Sequence, residues 1–302
     1  MIGTRVEEAK AECSVGSPAA GSGTSIDAVM ERIKDVSTLP HIALRVLEVA
    51  RDSRSGAKDL RVIIEGDPAL SARVLRCINS AAYALRTNVT SLQQAVTYLG
   101  FNQVRNLAIT ASVSDVFKAK ETIGTYRRSE LWRHMVSVGI CARMTASRLK
   151  LPNFEEAFLA GLLHDLGIVL EDQHCHEPFC TMMTQWVEGQ ALVTAEQKHF
   201  GFDHTMIGNR IAEAWRFPES ICASIRFHHA PESYRGDHAS IVHCTVMANW
   251  ICTFKGIMSV GRKMPKPPTE AMQALGLVKD DVKVLTADLD REIAANRQLF
   301  EL

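Results

Sequence analysis

The sequence has no surplus of charge of either sign: 34 Lys and Arg stand against 34 Asp and Glu in 302 residues. That balance argues against bulk electrostatic capture of nucleic acid or of an anionic bilayer, both of which need a net positive field. No stretch approaches the roughly 18 consecutive apolar residues that a membrane span requires. The N-terminus, MIGTRVEEAKAEC, lacks the apolar core of a signal peptide. A cytoplasmic location with no membrane contact is the expectation. The eight cysteines are scattered without a CxxC pair, which speaks for reduced, mostly buried thiols and not for a disulfide framework. There is no convincing alternating strand, no fixed repeat period, no Ser-His-Asp order and no Gly-rich phosphate loop. These absences remove sheet architectures, solenoids, triad hydrolases and P-loop enzymes.

What remains is helical periodicity. Residues 14 to 25, SVGSPAAGSGTS, read as part of a flexible tail, assigned to 1–26. From there short amphipathic segments follow near 27–35, 41–52, 57–66, 69–80, 91–98, 102–117, 130–150, 154–170, 178–198, 204–215, 219–229 and 238–254, punctuated by Pro, Gly and Asn. The fold class is all-α, a multi-helix bundle of many short helices over 27–257. Residues 258–302 form a basic, Gly/Pro-containing connector and a terminal helix, with Asp280 as its N-cap.

Several inward stripes end on polar residues. In FLAGLLHDLG the apolar face of Phe154, Ala157, Phe158, Gly161 and Leu162 runs into His164 and Asp165. His134 borders the stripe Leu131, Met135, Val138 and Ala142. His204 opens the stripe Ile207, Ile211 and Trp215, with Asp203 as its cap. His228 and His229 follow Ile221 and Ile225, and Asn249 follows Val242 and Val246. One such histidine is ordinarily a satisfied core residue. Their recurrence on successive helices points to a shared centre, because imidazole and carboxylate suit a divalent transition metal such as Fe, Mn or Zn. Adjacent helical residues point about 100° apart, so His164 and Asp165 reach one centre only at an exposed wall or a helix end. Gly161 and Gly167 would permit close approach there.

This arrangement resembles the HD superfamily of metal-dependent phosphohydrolases and its HD-GYP branch. The resemblance implies His134 as upstream ligand, His164 and Asp165 as the doublet, and His204, His228 and His229 as added ligands. The distal Asp of that pattern falls on Asn249, and the Lys that often follows the doublet is Ile168. No Glu directly follows His228-His229, and there is no GYP sequence. The N-terminal half is similar to the HDOD (HD-related output) domain of bacterial signalling proteins, in LPHIALRVLEVARD, IIEGDPALSARVLRCINSAAY and SLQQAVTYLGFNQVRNLAI. The resemblance covers about residues 39 to 255. It implies a non-catalytic regulator with a degenerate HD site, acting through a protein partner or by sensing a ligand or metal. A working metal phosphohydrolase is the alternative.

Three other constellations carry less. IIEGDPALSARVLRCINSAAY has a helix-turn-helix look, but Asp67 with Pro68 reads as an ordinary helix start. His174, Cys175, His176 and Cys180 suggest a metal cluster, yet His-x-His is common by chance and the segment reads as a loop. Arg127-Arg128 and the run from Arg262 to Lys266 read as solvated faces.

Overall fold

The computed structural model describes residues 25–35, 41–52, 54–118, 122–187, 189–261 and 266–301. Nearly all of the tail, Leu39-Pro40 and residues 262–265 of the basic run lie outside them. The described chain is all-α. Its first group of helices is α1 (Ile26–Asp35), α2 (His41–Arg51), α3 (Ala57–Glu65), α4 (Pro68–Ile78), α5 (Leu92–Leu99) and α6 (Phe101–Val113). Then come α7 (Arg128–Arg148), α8 (Phe154–Leu163), α9 (Leu166–His174), α10 (His176–Gln185), α11 (Leu192–Phe200), α12 (His204–Ala214), α13 (Glu219–Phe227) and α14 (Ala239–Phe254). Helices α15 (Thr269–Ala274), α16 (Lys279–Ala295) and α17 (Arg297–Phe300) close the chain.

Local chemistry sets the helix starts. The Asp67 side chain accepts from Leu70 N at 2.9 Å with Pro68 in the first turn, which caps α4 so that Leu70, Val74, Cys77 and Ile78 pack inward. Arg73, which a recognition helix would need free, pairs with Asp115 at 2.9 Å. The helix-turn-helix look is therefore a structural turn. Ser91 caps α5 in the same way through Gln94 N. Gly100, at φ +84°, ends α5 and begins α6 in a conformation that a side chain would strain.

Helices α2 to α6 pack as one layer. Helix α6 is buried from Val104 through Val113 and joins that layer to α8. The second layer is centred on the crossing of α7 with α8, flanked by α13 and α14, with α12 on α9 and α13. At the crossing, Gly139 and Gly161 face each other: a Cβ on Gly161 would stand 2.7 Å from the Val138 carbonyl. The absent side chains let two backbones touch.

Four readings are corrected. The segment 154–170 is not one helix: it breaks between Leu163 and Leu166, at His164 and Asp165. The segment 178–198 likewise divides into α10 and α11. Asp280 is inside the first turn of α16, and its neighbour Asp281 accepts from Val278 N at 3.1 Å to close the helix start. Arg128 is no solvated residue: it is buried, and its Nε donates to Asp172 Oδ2 at 2.5 Å. A two-stranded turn of sheet, Thr122–Ile123 with Tyr126–Arg127, precedes α7 and was invisible to periodicity because each strand is two residues long.

Candidate metal centre

The helix break places His164 and Asp165 where α8 gives way to α9. His164 keeps helical backbone angles (φ −55°, ψ −37°), and its Nδ1 is 2.8 Å from the carbonyl of Gly161. Asp165 relaxes to φ −101°, ψ 15°, which lets two adjacent side chains aim at one centre. Gly167 then lies directly on α12: a Cβ there would be 1.9 Å from the His204 carbonyl oxygen. Asp203 caps α12 through Thr205 N and Met206 N, which fixes His204 at the helix start facing Asp165.

All six candidate residues meet. Asp165 Oδ2 is 3.2 Å from His164 Nε2 and 3.7 Å from His134 Nε2. Its Oδ1 is 3.3 Å from His228 Nε2 and 3.5 Å from His204 Nε2. His229 Nε2 completes the second group, 3.2 Å from His204 Nε2. The donors thus form two sets, His134–His164–Asp165 and Asp165–His204–His228–His229, in each of which all ligand atoms lie within 4.8 Å. Asp165 belongs to both.

Four of the rings are aimed by an oxygen acceptor at Nδ1. His134 Nδ1 meets the Ile257 carbonyl at 2.8 Å, His164 that of Gly161 at 2.8 Å, and His228 that of Ile225 at 3.0 Å. His204 Nδ1 meets Glu196 Oε2 at 2.7 Å. For His134, His164 and His228 an Nδ1–H donated outward leaves the Nε2 lone pair pointing at the centre, as in metal-ligating histidines. Those lone pairs face a carboxylate, which cannot donate either. The buried Nε2 atoms of His134 and His164 have no hydrogen-bond partner. A cation between them relieves this like-on-like arrangement, so the residues present fit a divalent metal.

The electrostatics agree. Burial works against the charge of Asp165, but the surrounding imidazoles, His164 foremost, hold its carboxyl well below the usual range. Burial, with His164 beside it, pushes His134 down to about 4, and burial also lowers His228, so both are neutral imidazoles. His204 goes the other way: burial opposes its charge, but Glu196 raises it to about 9. Glu171 is fully buried next to Glu196, and burial first, then that neighbour, drives its carboxyl well above the ordinary value. As a bare carboxylate Glu171 has no donor for either oxygen. A proton on it supplies a hydrogen bond to Glu196. The chain Glu171–Glu196–His204–Asp165 is thus a wired support behind the second donor set.

A cavity of about 730 Å³ opens onto Asp165, His204, His228, His229 and Asn249. Asn249 stands on its wall, half-buried, and its Oδ1 accepts from Thr253 Oγ1 at 3.4 Å. The His174–Cys175 pair joins neither donor set. Those residues are not in a loop: they span the end of α9 and the start of α10. Glu196, Glu171 and the Ile257 carbonyl were missed. A backbone oxygen has no sequence signature, and a Glu within ALVTAEQKHF reads as a solvated charge.

A break at a His-Asp doublet, with histidines delivered from three further helix ends or faces, defines an HD-type helical fold. The HDOD domain family pattern matches residues 36–231, and the chain belongs to that family. Among solved structures it is similar to an HDOD domain protein of unknown function from Geobacter sulfurreducens, at 28% identity and a TM-score of 0.74 over 92% of this chain and 97% of that one. A protein from Shewanella amazonensis, described as a "Putative phosphohydrolase", shares the fold at 24% identity and a TM-score of 0.71, over 90% and 97%. An "Uncharacterized protein" of Treponema pallidum is 25% identical over 222 residues, 68% of this chain. The chain spans about two fifths (41%) of the length of that relative. Among the described residues no helix is long and apolar enough to cross a membrane.

Proposed function

We propose that this is a metal-binding HDOD regulator, acting in a bacterial signalling pathway through a protein partner and not by turnover. His134, His164, Asp165, His204, His228 and His229 would hold a divalent transition metal, with Asn249 on the cavity wall in place of a further anionic ligand. The observation that carries this reading is the pair of buried, unpartnered Nε2 atoms on His134 and His164, both aimed at Asp165. When bound, the metal supplies Lewis acidity and rigidity where three helix ends meet. Hydrolysis needs more than that. Asn249 and Ile168 put a neutral amide and an apolar side chain where the family resemblance implies the distal carboxylate and the phosphate-facing lysine, and the charged residues that do line the cavity, Glu232, Glu270 and Lys266, belong to neither metal donor set.

Metal analysis of protein purified without chelator tests the reading: a near-stoichiometric transition metal is expected, lost in His164→Ala. Cyclic dinucleotides and nucleotides should survive incubation with the loaded protein. The phosphohydrolase reading is favoured by the cavity opening onto Asp165 and His228, and by the description of the Shewanella protein. Turnover with Mn²⁺ or Fe²⁺ that vanishes in His164→Ala would replace the regulator with the enzyme.

A further inference from the structure

A second set of reactive side chains lies on the far part of α9 and on α10, seven residues and about 10 Å of helix beyond Asp165. Asp172 Oδ1 is 3.2 Å from His176 Nδ1, and His176 Nε2 is 3.5 Å from Cys180 Sγ. The spacing is i, i+4, i+8, so the helix change at Cys175 leaves the three on one line. Asp172 is completely buried and is itself fixed from two sides: Tyr126 Oη donates to Oδ2 at 2.9 Å, and Arg128 Nε at 2.5 Å. A nucleophile within reach of a base, with the base oriented by a third, rigidly held group, is the general form of an activated nucleophile. None of these residues belongs to either metal donor set.

We infer that Asp172, His176 and Cys180 form a thiol site separate from the metal centre, in which Cys180 is the residue of this chain oxidised by a small hydroperoxide. Asp172 holds the His176 ring so that Nε2 faces sulfur and takes the thiol proton. The thiolate then attacks the terminal peroxide oxygen. An S–O bond forms as the O–O bond breaks, sulfur loses two electrons, and the peroxide is reduced. The departing hydroxide or alkoxide takes the proton from His176, giving water or alcohol and a sulfenic acid on Cys180.

Cys180 exposes 6% of its surface and the His176 side chain beside it 42%, so the oxidant class inferred is the smallest: hydrogen peroxide or a short alkyl hydroperoxide. Among the described residues no other cysteine has a hydrogen-bond contact with a histidine. Burial pushes the thiols of Cys77 and Cys244 up to about 12 and that of Cys222 up to about 11. Burial likewise raises Cys175, with Arg32 opposing. Among the described residues, Arg128 and Tyr126 stand behind Asp172, and Glu177 follows His176 in the sequence of α10.

The test uses the full chain, dilute hydrogen peroxide and a sulfenic-acid trap, with labelling at each cysteine read by mass spectrometry. Iodoacetamide alkylation across a pH series runs in parallel. Near neutral pH Cys180 is expected to label at least about tenfold faster than Cys77, Cys222 or Cys244, with a rate profile whose midpoint lies below the ordinary thiol value of about 8.5. His176→Gln, which keeps a hydrogen-bonding side chain but cannot hold the proton, should move that midpoint up and slow peroxide labelling about tenfold. The wild-type profile decides without any variant. Labelling of Cys180 no faster than the other buried cysteines would overturn the assignment and leave a structural S–H···N contact, as would an unchanged profile in His176→Gln.

Discussion

The two oxygens of Asp165 look onto unlike surroundings. On the Oδ2 side, His134 and His164 are sealed at 0% exposure, and their Nε2 atoms have no partner. Backbone carbonyls aim both rings, His134 through Ile257 and His164 through Gly161. On the Oδ1 side, His204, His228 and His229 border the cavity, and a buried acid pair stands behind His204. Structural metal sites are closed and exchangeable ones keep an open position. The contrast teaches that one carboxylate can serve a rigid half and an adjustable half together, with neutral carbonyls supporting the first and carboxylates tuning the second.

The comparison breaks most completely at its shared atom. Asp165→Asn removes the anion common to both donor sets, and metal affinity should fall by more than about 100-fold, beyond the usual range of outer-shell substitutions. Metal retained per chain after gel filtration measures this, and retention at the parental level would mean the two sets do not share a ligand. Glu196→Gln touches only the open half. Losing the anion behind His204 should cost about 10- to 100-fold in metal affinity, less than the loss expected in Asp165→Asn. Competition with a chromophoric chelator measures this, and an unchanged affinity would mean that Glu196 does not tune the donor set.

A smaller effect is expected from Asn249→Asp, which places an anionic oxygen on the cavity wall. It should tighten Mn²⁺ binding and, without metal, lower the melting temperature, because a second carboxylate then lies near Asp165. Metal should raise the melting temperature more in this variant than in the parent. Equal responses across a Mn²⁺ titration would show that Asn249 is a wall residue only. The mildest test is Glu171→Gln. The folded carboxyl of Glu171 sits well above its ordinary value of 4.5, so the folded state keeps a proton that the unfolded chain releases. Stability contributed by that protonated group is present below pH 4.5 and is lost as pH rises toward the folded value, by at most about 1.4 kcal/mol per pH unit. Glutamine has no proton to lose. Metal-free melts from about pH 5 to 8 should therefore slope less in the variant, whereas identical slopes would mean Glu171 carries no proton at neutral pH.

The histidines were legible because an apolar face at 3.6-residue spacing makes a polar intruder conspicuous. His134, His164, His204 and His228 each interrupt or border such a stripe, and convergence follows once the helices pack by those faces. The helix break at His164 was hidden for the same reason: His164 and Asp165 continue the period, and only the contact of Gly167 with the His204 carbonyl shows why the chain turns there. Glu196 and Arg128 were illegible. A charged residue in a helix is usually solvated, and only its buried partner, His204 or Asp172, distinguishes the exception. That partner is distant in sequence for Arg128 and lies across a helix gap for Glu196.

The carbonyl that aims His134 belongs to Ile257, 26 residues past the end of the family match at residue 231. A fragment cut at that boundary would keep all six candidate ligands and lose α14, the Asn249 wall and the acceptor for the His134 ring. During synthesis the same dependence makes the closed half a late event. His134 is among the first candidate ligands to leave the ribosome, yet its ring is locked only after 123 further residues have followed it. Loading of the proposed metal would therefore be tied to completion of the helical body, and a nascent chain stalled near residue 231 would expose an unaimed set of candidate ligands.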